Sequence, residues 1–277
     1  MLLKQPLIAS DDLVQYLDDP ALILVDCRFE LADSEAGERA YNRDHIPGAR
    51  YMHLERDLSG PVKKHGGRHP LPNLERFSER LGAIGIDASK SVVAYDDQGG
   101  AMAARFWWML RYLGHEQVAV LDGGYQAWKA RGYPVTNHLP RPEPVVFSPR
   151  KHALAQLVHM EEVREGSSLL IDSRDPERFQ GKKEPIDAKA GHIPRAVNRF
   201  WKKNLTEDGY WKHPDELKKE WAFVSERESP IVYCGSGVTA CANLLSLQLA
   251  GIQQARLYIG SWSDWISYEE NLVEVDQ

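Results

Sequence analysis

A chain of 277 residues is long for one compact α/β layer and comfortable for two. With 43% apolar and 27% charged residues it reads as a globular protein, and its net charge of −6 argues against a surface that grips a nucleic-acid backbone. No run approaches the ~18 uninterrupted apolar residues of a membrane helix, so no membrane partner is expected. The first residues lack the apolar stretch and small-residue cleavage site of a signal or transit peptide. Three cysteines, Cys27, Cys234 and Cys241, without a CxxC pair argue against a disulfide framework or a zinc site, and suit a reducing, cytoplasmic setting.

In chain order, LILVDCR (residues 22–28) predicts a buried strand ending in Asp26 and Arg28, followed by HIPGA (45–49). VVAYD (92–96) predicts a second strand, running into the loop DDQGG (96–100). A helix is expected from Ala101 to Leu113, with Met102, Phe106, Met109 and Leu110 at three- and four-residue spacing and Gly114 as its stop. The strand VAVL (118–121) and the segment GGYQAW (123–128) complete this half. Five prolines between Pro134 and Arg150 mark an extended linker.

The second half repeats the order: LLIDSR (169–174), HIPRA (192–196), IVYC (231–234), a helix over Thr239–Ala250 stopped by Gly251, RLYI (256–259) and GSWSDW (260–265). Matches in one order over both halves mean a duplicated domain. Short apolar strands without alternation suit a parallel sheet buried on both faces. The expected division is 1–136 and 151–277, joined by a linker over 137–150.

The loop CGSGVTA (234–240) sits where a buried strand meets a helix, the edge of a parallel sheet at which ligands bind. Gly235 and Gly237 let the backbone turn its N–H groups inward as an anion nest, and the helix N-terminus adds partial positive charge. Cysteine in such a place is expected to be thiolate, the form that attacks electrophilic sulfur. The first half has Asp96 at the equivalent position, so only the second half is expected to react.

The duplicated Asp-x-Arg strand ends, the HIPGA element, CGSGVTA and GSWSDW together resemble the tandem-domain rhodanese sulfurtransferases, and the resemblance runs from about Leu22 to Trp265. It implies two tandem rhodanese-like domains, each a parallel sheet flanked by helices, the first without a catalytic cysteine. It also implies ping-pong transfer of a sulfane sulfur through a Cys234 persulfide cradled by Gly235, Ser236, Gly237, Val238, Thr239 and Ala240, with no metal or organic cofactor. The donor is then a small anion, 3-mercaptopyruvate in preference to thiosulfate, and the acceptor is cyanide, a small thiol or a thioredoxin-like protein.

Arg178 matches the position that binds the donor's anionic end. Members specific for mercaptopyruvate carry a second Arg after Glu-Pro, where this chain has Ile186; Lys182 or Lys183 is the available substitute. Ser236 follows the mercaptopyruvate type of loop, whereas thiosulfate-type enzymes have Arg-Lys after the cysteine. Asp57 and His69, the latter in RHPLP (68–72), fall near the positions of a Ser-His-Asp proton relay. The Asp26–Arg28 and Asp172–Arg174 pairs, His45 and His192, and Trp107, Trp108, Trp262 and Trp265 read as scaffolding, and Cys241 as a buried residue behind the loop. A phosphatase of the same fold needs Arg six residues after its cysteine, where this chain has Ala240. Thiosulfate:cyanide transfer as the main activity and a non-enzymatic binding module are the alternatives.

Overall fold

The computed structural model describes residues 3, 5–150, 156–225 and 229–276; positions 151–155, where the second domain is expected to begin, lie outside the described residues. The chain forms two compact units. The first comprises Met1–Gly60, Leu71–Leu154 and Glu207–Trp211; the second comprises Pro61–Pro70, Ala155–Thr206 and Lys212–Gln277. Two short segments are thus exchanged relative to a contiguous division, and the extended stretch 137–150 packs with the first unit. The exchanges are held by specific bonds: in unit 2, Asp264 accepts the Gly66 N–H at 2.6 Å, and in unit 1, Asp122 accepts the Trp211 N–H at 2.8 Å.

Unit 1 is built on a five-stranded parallel sheet of β1 (Leu7–Ile8), β2 (Leu22–Asp26), β3 (Arg50–Tyr51), β4 (Ser91–Tyr95) and β5 (Val118–Leu121), in the order β1-β5-β4-β2-β3. Every residue of β2, β4 and β5 is buried, because helices cover both faces; this is why these strands show no alternation in sequence. The helix Ala101–Tyr112 ends two residues before Gly114, which turns at φ +79°.

Unit 2 repeats the plan with β6 (Gln156–Val158), β7 (Leu170–Asp172), β8 (Val197–Asn198), β9 (Ile231–Tyr233) and β10 (Arg256–Tyr258), in the order β6-β10-β9-β7-β8. The two orders are the same permutation, so the repeat seen in sequence is a repeat of topology. The helix Ala240–Leu249 is apolar nearly all round, and its residues up to Leu247 are buried.

The repeated motifs do repeated structural work. Arg28 forks onto Asp26 (2.9 and 2.6 Å) and lies 4.1 Å over the Tyr125 ring; Arg174 forks onto Asp172 (3.0 and 2.6 Å) and lies 4.6 Å over Trp262. His45 and His192 each bond a backbone carbonyl through Nδ1, of Tyr41 and Phe179 respectively, both at 2.8 Å. Trp107, Trp108, Trp262 and Trp265 are buried core residues. Among the described residues no helix is long and apolar enough to cross a membrane.

Candidate active site

The central strand β9 delivers Cys234 to the C-terminal edge of the unit 2 sheet, where the chain turns into the helix Ala240–Leu249. Cys234 is only 2% exposed, and the Gly237 N–H donates to its Sγ at 3.2 Å. Gly237 has φ +77°, and a Cβ there would fall 2.2 Å from the Ile259 carbonyl oxygen; no other residue fits this turn. The Cys234 N–H donates to Ser261 Oγ (3.1 Å), its carbonyl accepts from Trp262 (3.0 Å), and the Gly235 carbonyl accepts from Ser263 (2.9 Å). The GSWSDW segment is therefore the bed on which the loop lies. Ser261 holds a left-handed φ of 55°, a strain of about 1 kcal/mol or more. Gly124 takes the equivalent place in unit 1 at φ +59°, so the strained serine buys a hydroxyl that grips the Cys234 backbone.

The equivalent loop of unit 1 shows what this architecture binds. Asp96, fully buried at the end of β4, accepts four backbone N–H groups: Gln98 and Gly100 at 2.8 Å on Oδ1, Met102 at 2.8 Å and Ala103 at 2.9 Å on Oδ2. Its carbonyl accepts from Tyr125 (2.8 Å), as that of Cys234 does from Trp262. A loop and helix start that satisfy a carboxylate in this way form an anion cradle. In unit 1 the cradle is filled by the protein's own side chain.

Ser236, on the Cys234 loop, is bonded to His69, whose Nδ1 lies 2.8 Å from Ser236 Oγ; both residues are buried. His69 belongs to the segment 61–70 of unit 2, which is tied to the same bed. Asp264 takes the Gly66 N–H, Ser263 Oγ takes the Arg68 N–H at 3.1 Å, and His65 meets Ser267 Oγ at 2.8 Å while stacking on Tyr268. Asp57, the third residue expected in a relay, sits in unit 1. There its carboxylate takes the His53 N–H at 2.8 Å and Arg80 Nε at 2.9 Å, which gives it a structural occupation.

Arg178 lies in the short helix Pro176–Phe179, capped by Asp175, and its guanidinium is forked onto Glu184 (3.1, 3.0 and 2.8 Å) with a further bond to Asp187 at 2.9 Å. A second guanidinium, that of Arg68, pairs with the same Asp187. Were Gly235 to carry a Cβ, that atom would lie 3.1 Å from Arg68 Nη2 and 3.6 Å from Arg178 Nη2, so both arginines flank the residue next to Cys234. Burial lowers the Arg68 pKa below its ordinary value, with the Cys234 charge acting in the opposite sense. Ile186 is 47% exposed and offers only its N–H, to Glu184; Lys182 and Lys183 are exposed.

Val238 and Ala240 are buried along the turn, and Thr239 leads into the helix. Cys241 is buried on that helix and donates to the Gly237 carbonyl at 3.4 Å. Sequence reasoning missed Arg68, Glu184, Asp187 and Ser261. The adjacency of Arg68 to His69 was the only signal for the first, and the positive φ of Ser261 has a sequence trace only in its alignment with Gly124. Among the described residues there is no group of three or more His, Cys, Asp or Glu placed to hold a metal ion.

Comparison with known proteins agrees with this geometry. The family model of the rhodanese-like domain matches residues 9–131 and again 153–268. The chain is 43% identical to a "Probable 3-mercaptopyruvate sulfurtransferase" of Pseudomonas aeruginosa, over 94% of this chain and 95% of the relative. It is 34% identical to the thiosulfate sulfurtransferase of Rattus norvegicus, over 89% and 85%. Among solved structures, the 3-mercaptopyruvate sulfotransferase SseA of Escherichia coli superposes with a TM-score of 0.82 at 30% identity, covering 94% of this chain and all of that one (100%).

Proposed function

The chain belongs to the rhodanese family of sulfurtransferases, and on that premise we propose that it takes a sulfur atom from 3-mercaptopyruvate onto Cys234. The observation that carries this reading is the buried Ser236–His69 pair on the Cys234 loop. A mercaptopyruvate donor brings a thiol proton that has to travel; thiosulfate brings none. Cys234 thiolate attacks the donor sulfur, the carbon–sulfur bond breaks, and its electron pair passes to carbon as the pyruvate enolate. The proton that was on sulfur moves through Ser236 and His69 to that carbon, leaving pyruvate and a Cys234 persulfide anion. The backbone N–H groups of the loop stabilise this anion, as their counterparts stabilise Asp96.

The outer sulfur then goes to an acceptor. Cyanide attacks it, expels the Cys234 thiolate and leaves as thiocyanate; a dithiol, small or thioredoxin-like, does the same and closes to a disulfide with release of hydrogen sulfide. Thiosulfate is the second reading, with sulfite as leaving group, and it is supported by the guanidinium forks of Arg68 and Arg178 beside Gly235, whose geometry suits a sulfonate. Steady-state kinetics with both donors and a common acceptor test the choice: a higher kcat/KM for 3-mercaptopyruvate is expected, and a strong preference for thiosulfate would reverse it.

A further inference from the structure

The carboxylate of Asp187 bridges two guanidinia that come from opposite halves of the sequence but one unit of the fold: its Oδ1 pairs with Arg68 Nη1 and its Oδ2 with Arg178 Nη2. Accepting that Cys234 takes sulfur from an anionic donor, we infer that Arg68 and Arg178 together clamp the donor's carboxylate or sulfonate, and that Asp187 holds the clamp until the donor displaces it from Arg68. Arg68 thereby does, from segment 61–70, the work of the second arginine that is absent at Ile186.

Three observations carry this. The bare α-carbon of Gly235 leaves the space between both guanidinia and the Cys234 loop unobstructed; a side chain there would begin 3.1 Å from one and 3.6 Å from the other. The charge supply is uneven: Arg178 has Glu184 as well as Asp187, while the ion pair of Arg68 is with the shared Asp187. The Arg68 side chain is 29% exposed and that of Asp187 only 4%, so an incoming anion meets the guanidinium from solvent rather than the carboxylate. A carboxylate held between two arginines is also the geometry in which a 2-oxo acid or a sulfonate is held most firmly. The internal acid is a stand-in for the ligand.

The test separates this clamp from the sulfur-transfer reading by using a probe that needs no donor. Cys234 alkylation is followed with iodoacetate and with neutral iodoacetamide in the full-length protein and in Arg68→Gln, Arg68→Lys and Asp187→Asn. Arg68→Gln should lower the iodoacetate-to-iodoacetamide rate ratio about tenfold, the scale of one charge-assisted hydrogen bond, with Arg68→Lys in between. Asp187→Asn should raise the ratio, because the competing carboxylate is gone. In turnover, Arg68→Gln should raise KM for 3-mercaptopyruvate, thiosulfate or both by about tenfold with kcat little changed, and the donor affected identifies carboxylate or sulfonate as the natural ligand. A purely structural ion pair would make Arg68→Gln and Asp187→Asn shift ratio and KM in the same direction, and that outcome, or a ratio unchanged in Arg68→Gln, overturns the clamp. If the ratio responds as expected but neither donor loads sulfur onto Cys234, the clamp stands and the proposed reaction falls.

Discussion

His69 and Ser236 are 167 positions apart in sequence, yet Nδ1 of one lies 2.8 Å from Oγ of the other in a buried pair on the Cys234 loop. If the pair moves the donor's thiol proton, Ser236→Ala should cost kcat/KM with 3-mercaptopyruvate about two orders of magnitude, the lower range for acid–base assistance, and leave thiosulfate turnover nearly intact. His69→Gln should copy it, and the double variant should be no worse than either single one, because both remove one pathway. Steady-state kinetics with the two donors check this; equal losses with both would make the pair a support for the loop.

The three cysteines should separate by reactivity. Burial pushes the Cys27 thiol well above its usual range, reinforced by the charges of Asp26, Asp96 and Asp57, so it resists becoming a nucleophile. Treated with donor and no acceptor, the protein should gain one sulfur atom, and peptide mass spectra should place it on Cys234. Cys27→Ser should keep activity and Cys234→Ser should lose it.

Four N–H bonds make Asp96 a structural anion. Asp96→Asn puts an NH₂ against donors and should destabilise unit 1 by about 2 kcal/mol or more, read by denaturant unfolding. Asp96→Cys combined with Cys234→Ser should show no sulfur transfer, since unit 1 has Gln98 where Ser236 stands. Activity in that double variant would mean that the first loop is a latent site.

Asp97, beside Asp96, has its pKa raised to about 6 by burial and then by the Asp96 charge. A carboxyl whose folded pKa lies above its unfolded value stabilises the fold only while protonated. Its contribution is present below about pH 4, falls as pH rises towards 6, and is absent above. The full shift would correspond to about 3 kcal/mol, but the group is only partly buried, and solvent screening reduces the expectation to about 1–2 kcal/mol. Asp97→Asn should therefore be more stable than the parent at about pH 7.5 and indistinguishable from it near pH 4, as measured by chemical denaturation.

Much of this architecture is visible in the sequence because duplication writes each motif twice. LILVDCR and LLIDSR become β2 and β7 with matching Asp–Arg forks, and HIPGA and HIPRA become matching turns. The loop of Cys234 is legible for a related reason, since strand, glycines and helix start adjoin in sequence. Arg68 is not. Its place depends on segment 61–70 leaving its own half and docking on Asp264 and Ser263, a tertiary event without a periodic or compositional trace. Asp187 escaped notice because a lone acid in a polar loop has the appearance of a solvated charge, and only folding sets it between two arginines.

The exchange of segment 61–70 bears on how freely the two halves can be parted. A tandem repeat suggests modules that gene fission could set free, with the cysteine-bearing half keeping the chemistry. Here that half, cut out at the linker, would carry Cys234 and Arg178 but leave His69 and Arg68 behind on the other piece. Cys234 is encoded in one half of the chain, and His69, which meets Ser236 on its loop, in the other. Once such a loan between copies is made, a duplicated protein is committed to remaining a single polypeptide, and the copy with Asp96 in place of the cysteine cannot be discarded.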